Sequence, residues 1–422
     1  MTSDFNRARS FTLLGSSGGL AKAVLSLLNA AVTDNNDPIH GILVQTELHL
    51  IDLNQREPLY YSDLYPNLFS RLHLHQMDLN NLQAFKQHLV DTDSRLVIDV
   101  SWADTLEMLN CCNELAIPYV NSALENKAVD EDPTLYGFPL TERYDRFEDQ
   151  KAHFTNTHAI VCSGMNPGVV QWMAFQLQQE NPDRTPLACY VVEHDSSFFT
   201  DALYVQPQTL YTSWSVECFL DEAILSYPMF VKGHVPHYLH EEVYSAEYKV
   251  RLGEKQFYGC LMPHEEVLTL GMLRDWEVGF IYRVNDLTTG LIRNHLDHVD
   301  ELWDWNQQIL EPSLGDVSGE DLVGVLFVYD NEEKYLYNVM NSRDIYPIYR
   351  TNATYLQVAC GVYAAIACIL LDPVPRGVHY IDELLQIGGS RYGDYLSTHM
   401  KTFVRGTNDR SDGFLLQRRR EA

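Results

Sequence analysis

Lysine and arginine are scarce in this 422-residue chain: 30 stand against 58 aspartates and glutamates, a formal net charge of -28. Such a surface repels phosphate backbones and anionic lipid, which argues against nucleic-acid and membrane partners. It attracts cations, and it also serves plain solubility or a saline habitat. Cysteine pairs of the metal-binding kind are missing. The eight cysteines, at 111, 112, 162, 189, 218, 260, 360 and 368, form no CxxC pair and no Cys/His zinc spacing, so no metal ligands are assigned. Long apolar runs are missing too. The longest, "VYAAIACILL" from Val362 to Leu371, is too short to span a bilayer, and the opening "MTSDFNRARS" lacks the apolar stretch of a signal peptide. Free thiols in a reducing cytoplasm are the expectation. There is no internal repeat, low-complexity segment or clear linker.

What is present is alternation. "FTLLGSSGGLAKAVLSLLNAAV" reads as strand, glycine turn and helix. "LHLIDLNQ" is a second strand closed by an acid, Asp52. "SRLVIDVSWADTLEMLNCCNELAIPYVNSALE" is strand, helix and strand, and "HAIVCSGMNPGVVQWMAFQLQQE" is strand, turn and helix again. Strands separated by helices predict a parallel sheet covered on both faces. From about Pro186 to Tyr349 the texture changes to aromatic, strand-like runs such as "LACYVVEH", "YKVRLGEKQFYGCLM", "WEVGFIYRV" and "LVGVLFVYD". An apolar helix returns over Leu356–Leu371, and the tail from Arg405 reads as mobile. The fold class expected is α/β: a Rossmann-type doubly wound parallel sheet with a second, α+β mixed-sheet domain.

Gly15, Gly18 and Gly19 lie between the first strand and the first helix, where backbone N–H groups at a helix start can meet a pyrophosphate. Asp52 ends the next strand, where an acid accepts hydrogen bonds from a ribose and repels a 2′-phosphate, favouring NAD over NADP. The order is G-S-S-G-G-L-A, with Ser17 in place of the second glycine, and Asp52 lies farther along than the usual spacing of about 20 residues. A plain α/β turn is the competing reading.

In "CSGMNPGVV", Pro167 suits the first turn of a helix and Asn166 reads equally as its N-cap and as a group facing a ligand. Glu125 follows one strand end and Glu193 closes another. His264 follows a strand-like run and Asp321 precedes one. Each taken singly reads as a solvated, capping or structural residue. In "LYTSWSVECFLDEA", Val216, Phe219, Leu220 and Ala223 form a core stripe at helical period, while Trp214, Glu217, Cys218 and Asp221 occupy the opposite face with Glu222 on its shoulder.

The segments "VCSGMNPGVVQWM", "YVNSALE", "YTSWSVECFLDE", "LMPHEEVLTL", "EDLVGVLFVYD" and "NATYLQVACGVYAAIA" resemble, in order and approximate spacing, bacterial homospermidine synthase, within the wider saccharopine dehydrogenase-like group. The resemblance runs from the glycine turn to about Leu371. It implies a tightly held NAD, oxidation of putrescine to an imine, transfer of the aminobutyl group to a second amine, and re-reduction with loss of ammonia. It implies that Trp214 lies against the substrate cation, that Glu222, Glu193 and Glu125 face amino groups, that Asn166 lies near the nicotinamide, and that His264 and Asp321 line the pocket. It places Ser101 beside the cofactor, with Gly15, Ser17, Gly18, Gly19 and Asp52. Asn126 follows Glu125 where a proline-tryptophan pair is expected. The division expected is 1–165 plus about 350–400 for the NAD-binding domain, 166–349 for substrate binding and dimerisation, and 401–422 as a tail. The partners implied are small cationic diamines and a second copy of the chain. Two other readings remain: a carboxynorspermidine- or saccharopine-type reductase, whose substrates would call for arginine or lysine, and a non-catalytic protein that binds NAD or polyamine.

Overall fold

A computed structural model describes residues 9–422. The first eight residues, and with them most of the segment read for a signal peptide, lie outside the described residues. The chain forms two compact units. The first comprises the residues up to Ala128, Asp145–Gly164 and Val358–His399; the second comprises Val129–Tyr144, Met165–Gln357 and Met400–Ala422.

Among the described residues the first unit is built on a seven-stranded, wholly parallel sheet. Its spatial order is Gly377–His379, His158–Ile160, Tyr119–Asn121, Ser94–Asp99, Arg9–Leu14, Thr46–Asp52 and Leu72–Gln76. The first strand is interior, with four strands on one side and two on the other, and the chain winds outward from it in both directions. The strand order therefore reverses between Arg9–Leu14 and Ser94–Asp99, the switch point at which open α/β sheets bind ligands. The doubly wound sheet read from the alternation of strands and helices is the one observed. Buried Phe11, Leu13, Leu14, Leu96, Val97 and Ile98 make these strands apolar on both faces, as a sheet covered on both sides requires.

The second unit carries a ten-stranded mixed sheet. Its main path runs Phe403–Asn408, Glu333–Met340, Asp321–Val328, Ala188–Asp195, Glu277–Arg283, Lys255–Met262, Ala246–Leu252 and Arg419–Glu421, with the hairpin Met229–Lys232/Val235–Tyr238 attached to Glu277–Arg283. Only Ala188–Asp195 and Glu277–Arg283 pair in parallel; their other neighbours on the path are antiparallel. One face packs Tyr190, Val192, Ile281, Leu322 and Leu326 into an apolar core.

Two expectations are corrected here. The tail is not mobile: Phe403–Asn408 and Arg419–Glu421 close both ends of the main path. Arg418 is buried and ion-paired with the equally buried Glu333, and Leu415 is fully buried in the core. Strands this short show no readable alternation. The apolar helix begins earlier, at Ala353, and its 19 residues to Leu371 are long and apolar enough to cross a membrane by length and composition. Its most apolar window is 78% buried within the protein, which makes it a core helix, apolar on all sides because protein covers all sides.

Gly15 shows why the first turn takes glycine. Its φ is +73°, and a Cβ there would lie 2.7 Å from the Val100 carbonyl oxygen and 2.8 Å from Ser101 Cα. Gly41, in a short helix, faces open space. Gly15→Ala should therefore lower the unfolding free energy by more than about 1 kcal/mol, while Gly41→Ala leaves it unchanged or slightly higher. Urea unfolding measures both, and equal stability of the two variants would remove the steric argument.

Candidate functional site

The glycine turn presents a helix start without a side-chain cap. Gly18 is the N-cap of Gly19–Ala31, no side chain accepts from its first N–H groups, and its first turn holds no acid. Uncapped N–H groups and the positive end of a 13-residue helix suit an anion such as a pyrophosphate. Asp52 is the last residue of its strand, with one carboxylate oxygen accepting from Ser17 N–H at 2.9 Å and the other from Asn54 N–H at 2.8 Å. Ser17, which interrupts the glycine pattern, thus ties the turn to the acid, and its hydroxyl donates to Asn54 O. Ser101 lies just past the strand Ser94–Asp99. Its N–H and hydroxyl both donate to Asp99, whose carboxyl is held above the usual range by burial despite these bonds and one from Tyr119. Gly15, Ser17, Gly18, Gly19, Asp52 and Ser101 all belong to this first unit, and their arrangement fits a dinucleotide. Glu125 is in the same unit, where its N–H donates to Thr105 Oγ1 at 2.9 Å.

The other candidate residues fall in the second unit, and strand register brings several together. Side chains alternate along a strand, so Glu193 and Asp195 share a face. Asp321 pairs directly with Asp195 across the antiparallel neighbour, and Tyr282 pairs with Glu193 across the parallel one. That face therefore carries three carboxylates and a phenol, all buried. Glu193 accepts a hydrogen bond from Asn166 Nδ2 at 2.7 Å. Asn166 is not the helix cap. The helix Val169–Gln179 starts from Gly168, whose φ of +126° turns the chain, and the peptide between Asn166 and Pro167 is cis. The Asn166 side chain is thus available to Glu193 instead.

No Lys or Arg forms an ion pair with Glu193, Asp195, Asp321 or Glu222 among the described residues. Burial pushes Glu193 well above the usual carboxylate range, and Asp321 pushes further against the hydrogen bond from Asn166. Burial also raises Asp321, with Asp195 adding to it, and raises Asp195 against its bonds from Ser213 and Ser197. Hydrogen counting leads the same way. Ser213 Oγ donates to Asp195 at 2.6 Å, and Thr354 Oγ1 touches both Ser213 Oγ and Asp321. Thr354 has one hydroxyl proton. If it goes to Ser213, Asp321 must bring the proton of its own bond.

The tryptophan helix is Val216–Ala223, and its stripe Val216, Phe219, Leu220 and Ala223 is buried as the period predicts. Trp214 is not on the helix. It precedes the cap Ser215, which accepts from Cys218 N–H, and its indole N–H donates to Tyr282 at 3.1 Å. Its ring stands edge-on to Phe219 and Tyr282, at centroid distances of 6.1 and 6.4 Å. Asn166, Glu193, Tyr282 and Trp214 thereby form one connected series. Asp221 pairs with Arg143 at 2.8 Å, and Glu217 accepts from Ser215, so both serve the scaffold.

Glu222 is buried with one oxygen unpartnered and the other 3.6 Å from His264 Nε2. Burial raises it to about 8 despite the attraction of His264. His264 stands at the N-cap position of the helix Glu265–Leu273, with no capping bond from its side chain. Burial opposes a charge on its ring, yet Glu266, Glu222 and Glu265 outweigh that and hold it well above the ordinary histidine value, as an imidazolium. His264, Glu265 and Glu266 also offer ligand atoms within 4.8 Å of one another.

Asp195, Tyr282, Ser213 and Thr354 were not singled out from sequence. Asp195 had a signal, two residues beyond Glu193 in "VVEHD"; the other three, on a strand, a loop and a helix start, are brought there only by tertiary packing.

Glu222 supplies a test. Folded, it releases its proton near pH 8; unfolded, near the ordinary value of about 4.3. Between these the folded chain binds more protons than the unfolded one, so stability falls as pH rises through that window. Glu222→Gln removes this difference. Its unfolding free energy in urea should decline less steeply than the parent's from about pH 5 to about pH 8; parallel declines would contradict a buried, protonated Glu222.

No family model matches this sequence, and no curated protein matches it. Among solved structures, the leucoanthocyanidin reductase–NADPH binary complex from Vitis vinifera aligns at a TM-score of 0.26 and 12% identity, over 36% of this chain and 49% of that one. Apo histidine-tagged saccharopine dehydrogenase (L-Glu forming) from Saccharomyces cerevisiae aligns at a TM-score of 0.57 and 11% identity, over 94% of this chain and 100% of that one. Across nearly its whole length, the chain has the fold of saccharopine dehydrogenase.

Proposed function

We propose that the protein is a nicotinamide-dependent enzyme of diamine chemistry, similar to homospermidine synthase. It would oxidise putrescine to an imine, transfer the aminobutyl group to a second putrescine or a related amine, and reduce the product with the same hydride, releasing ammonia. The observation that carries this reading is the buried acids Glu193, Asp195 and Asp321 beside Tyr282, which bonds Trp214, with Glu222 linked to Glu193 through His264, and none of the four with a lysine or arginine partner. Buried carboxylates in this number are costly unless neutralised or paired. An alkyl diammonium supplies the missing charge and the aliphatic length. A carboxylate-bearing substrate would add repulsion, which disfavours the reductase reading. The fold shared with a dehydrogenase supports redox chemistry in general.

The first unit's uncapped helix start and Asp52 are the groups that would hold the dinucleotide, with Asp52 favouring NAD. When bound, the nicotinamide supplies the hydride acceptor and donor. The chain's own residues handle charge and protons. Oxidation needs a neutral amine, and the ionised fraction of Glu222, which grows as pH rises toward about 8, accepts the ammonium proton. The cationic imine is stabilised by Glu193 and Asp321 once ionised, and by the Trp214 ring. Asn166 holds Glu193 in place.

Incubation with putrescine and substoichiometric NAD should yield homospermidine and ammonia in equal amounts with no net NADH. Diaminopropane and spermidine assayed in parallel would define the amine. Steady accumulation of NADH indicates a plain dehydrogenase and overturns the transfer. Trp214→Ala should lose roughly 2- to 30-fold in kcat/KM, the worth of one cation–π contact, and Trp214→Phe less. Equal activity of the two variants would remove the ring's role.

Amine binding draws protons from carboxyls held above their ordinary range, so putrescine should bind more tightly as pH rises toward about 8. Calorimetry in buffers of different ionisation enthalpy measures the protons released; pH-independent affinity would count against the acid cluster as the amine site.

A further inference from the structure

The first unit holds a histidine cluster that neither the dinucleotide nor the diamine chemistry uses. His73 and His75 alternate on the edge strand Leu72–Gln76 and so share a face; His49 pairs in register with His73 on the neighbouring strand. The helix Leu82–Asp91 brings His88 to them. His49 Nδ1 and His75 Nε2 are 2.9 Å apart, and one nitrogen from each of His49, His75 and His88 lies within 4.8 Å of the others. Nitrogens bound to one tetrahedral zinc at about 2.0–2.1 Å are themselves about 3.4 Å apart, a spacing that small ring rotations reach from here. His88 is 8% exposed, and its Nε2 is buried without a hydrogen-bond partner. A buried imidazole nitrogen without a partner is costly unless a ligand takes it up. His73 stacks on His49 and bonds Glu47 at 2.8 Å, a neighbouring support of the kind that orients metal ligands.

We propose that His49, His75 and His88 form a binding site for a divalent transition metal, of which zinc is the best match: three imidazole ligands from three elements, with the fourth position open. All-nitrogen ligation selects zinc, copper or nickel over magnesium and calcium, which take oxygen. The metal would clip the sheet's edge strand to its neighbour Thr46–Asp52, which ends at the acid proposed to meet the cofactor. Zinc sites legible in sequence are those with short Cys/His spacing; this one is not, because its ligands come from two strands and a helix.

The test uses the full chain stripped with chelator and titrated with Zn²⁺, and with Co²⁺ for its absorption spectrum. One equivalent should bind and give the intense visible bands of tetrahedral cobalt. His88→Asn and His75→Asn should each weaken binding by at least about 100-fold, beyond the 10–100-fold that loss of a supporting residue costs. Exposed His298→Asn should not change it. His264→Gln, which disrupts the buried His264, Glu265 and Glu266 group, should retain the cobalt bands. Unchanged affinity in the His88 and His75 variants, or bands lost only with His264, would overturn the proposal. X-ray absorption of the wild-type zinc form decides even where a variant fails to fold: a shell with three imidazoles supports the site, and one built on two carboxylates overturns it.

Discussion

Asp195 and Asp321 face each other across two antiparallel strands in the interior of the second unit. Like charges directly opposite in a sheet repel, and burial multiplies the cost. Register leaves no escape, because a one-residue slip would turn each strand's apolar set to the wrong face. The tension is relieved by protons: carboxyls held above their ordinary range, a Ser213–Thr354 bridge between the two acids, and Glu193 steadied by Asn166. Such a group is costly to keep for stability alone. It is well suited to receive positive charge, and this gives the diamine reading its physical content.

The first unit answers a different demand. Its parallel sheet reverses order at the first strand, so the turn after that strand opens at the switch point. Gly15 is forced by the close approach of Val100 and Ser101, while Gly18 leaves the helix start uncapped. Ser17 is no defect in the pattern: its N–H and hydroxyl join the turn to Asp52 and the residues after it. The same unit carries the half-buried His49 and His75 and the buried His88 near its edge, where the proposed metal would restrain the strand that ends in Asp52.

The fold was largely legible because its signals are local. Apolar strands, a glycine turn and the stripe Val216, Phe219, Leu220, Ala223 have periods that survive in sequence. Other features escaped. The last 22 residues carry too little alternation to be read as strands, yet Arg418 and Leu415 anchor them in the core. Asn166 looked like a cap because Pro167 follows it, but the chain turns at Gly168 and frees its side chain. Trp214, assigned to a helix face, lies just outside the helix, and its direction is set by Tyr282, 68 residues away.

The sequence by itself determined the α/β class, the two textures of chain, the position of the glycine turn and the identity of the acids and aromatics available. These follow from periodicity and residue type, which act over a few residues. Only the tertiary structure decided which acids meet. Asp195 joins Asp321, Glu193 joins Tyr282, Glu222 joins His264, and three distant histidines converge, because strand pairing and helix packing set those distances across as many as 126 residues of chain. Glu217 and Asp221, equal to Glu222 in charge and nearly so in place, are drawn off by Ser215 and Arg143. Burial, which sequence does not carry, separates a solvated carboxylate from one that holds a proton near pH 8.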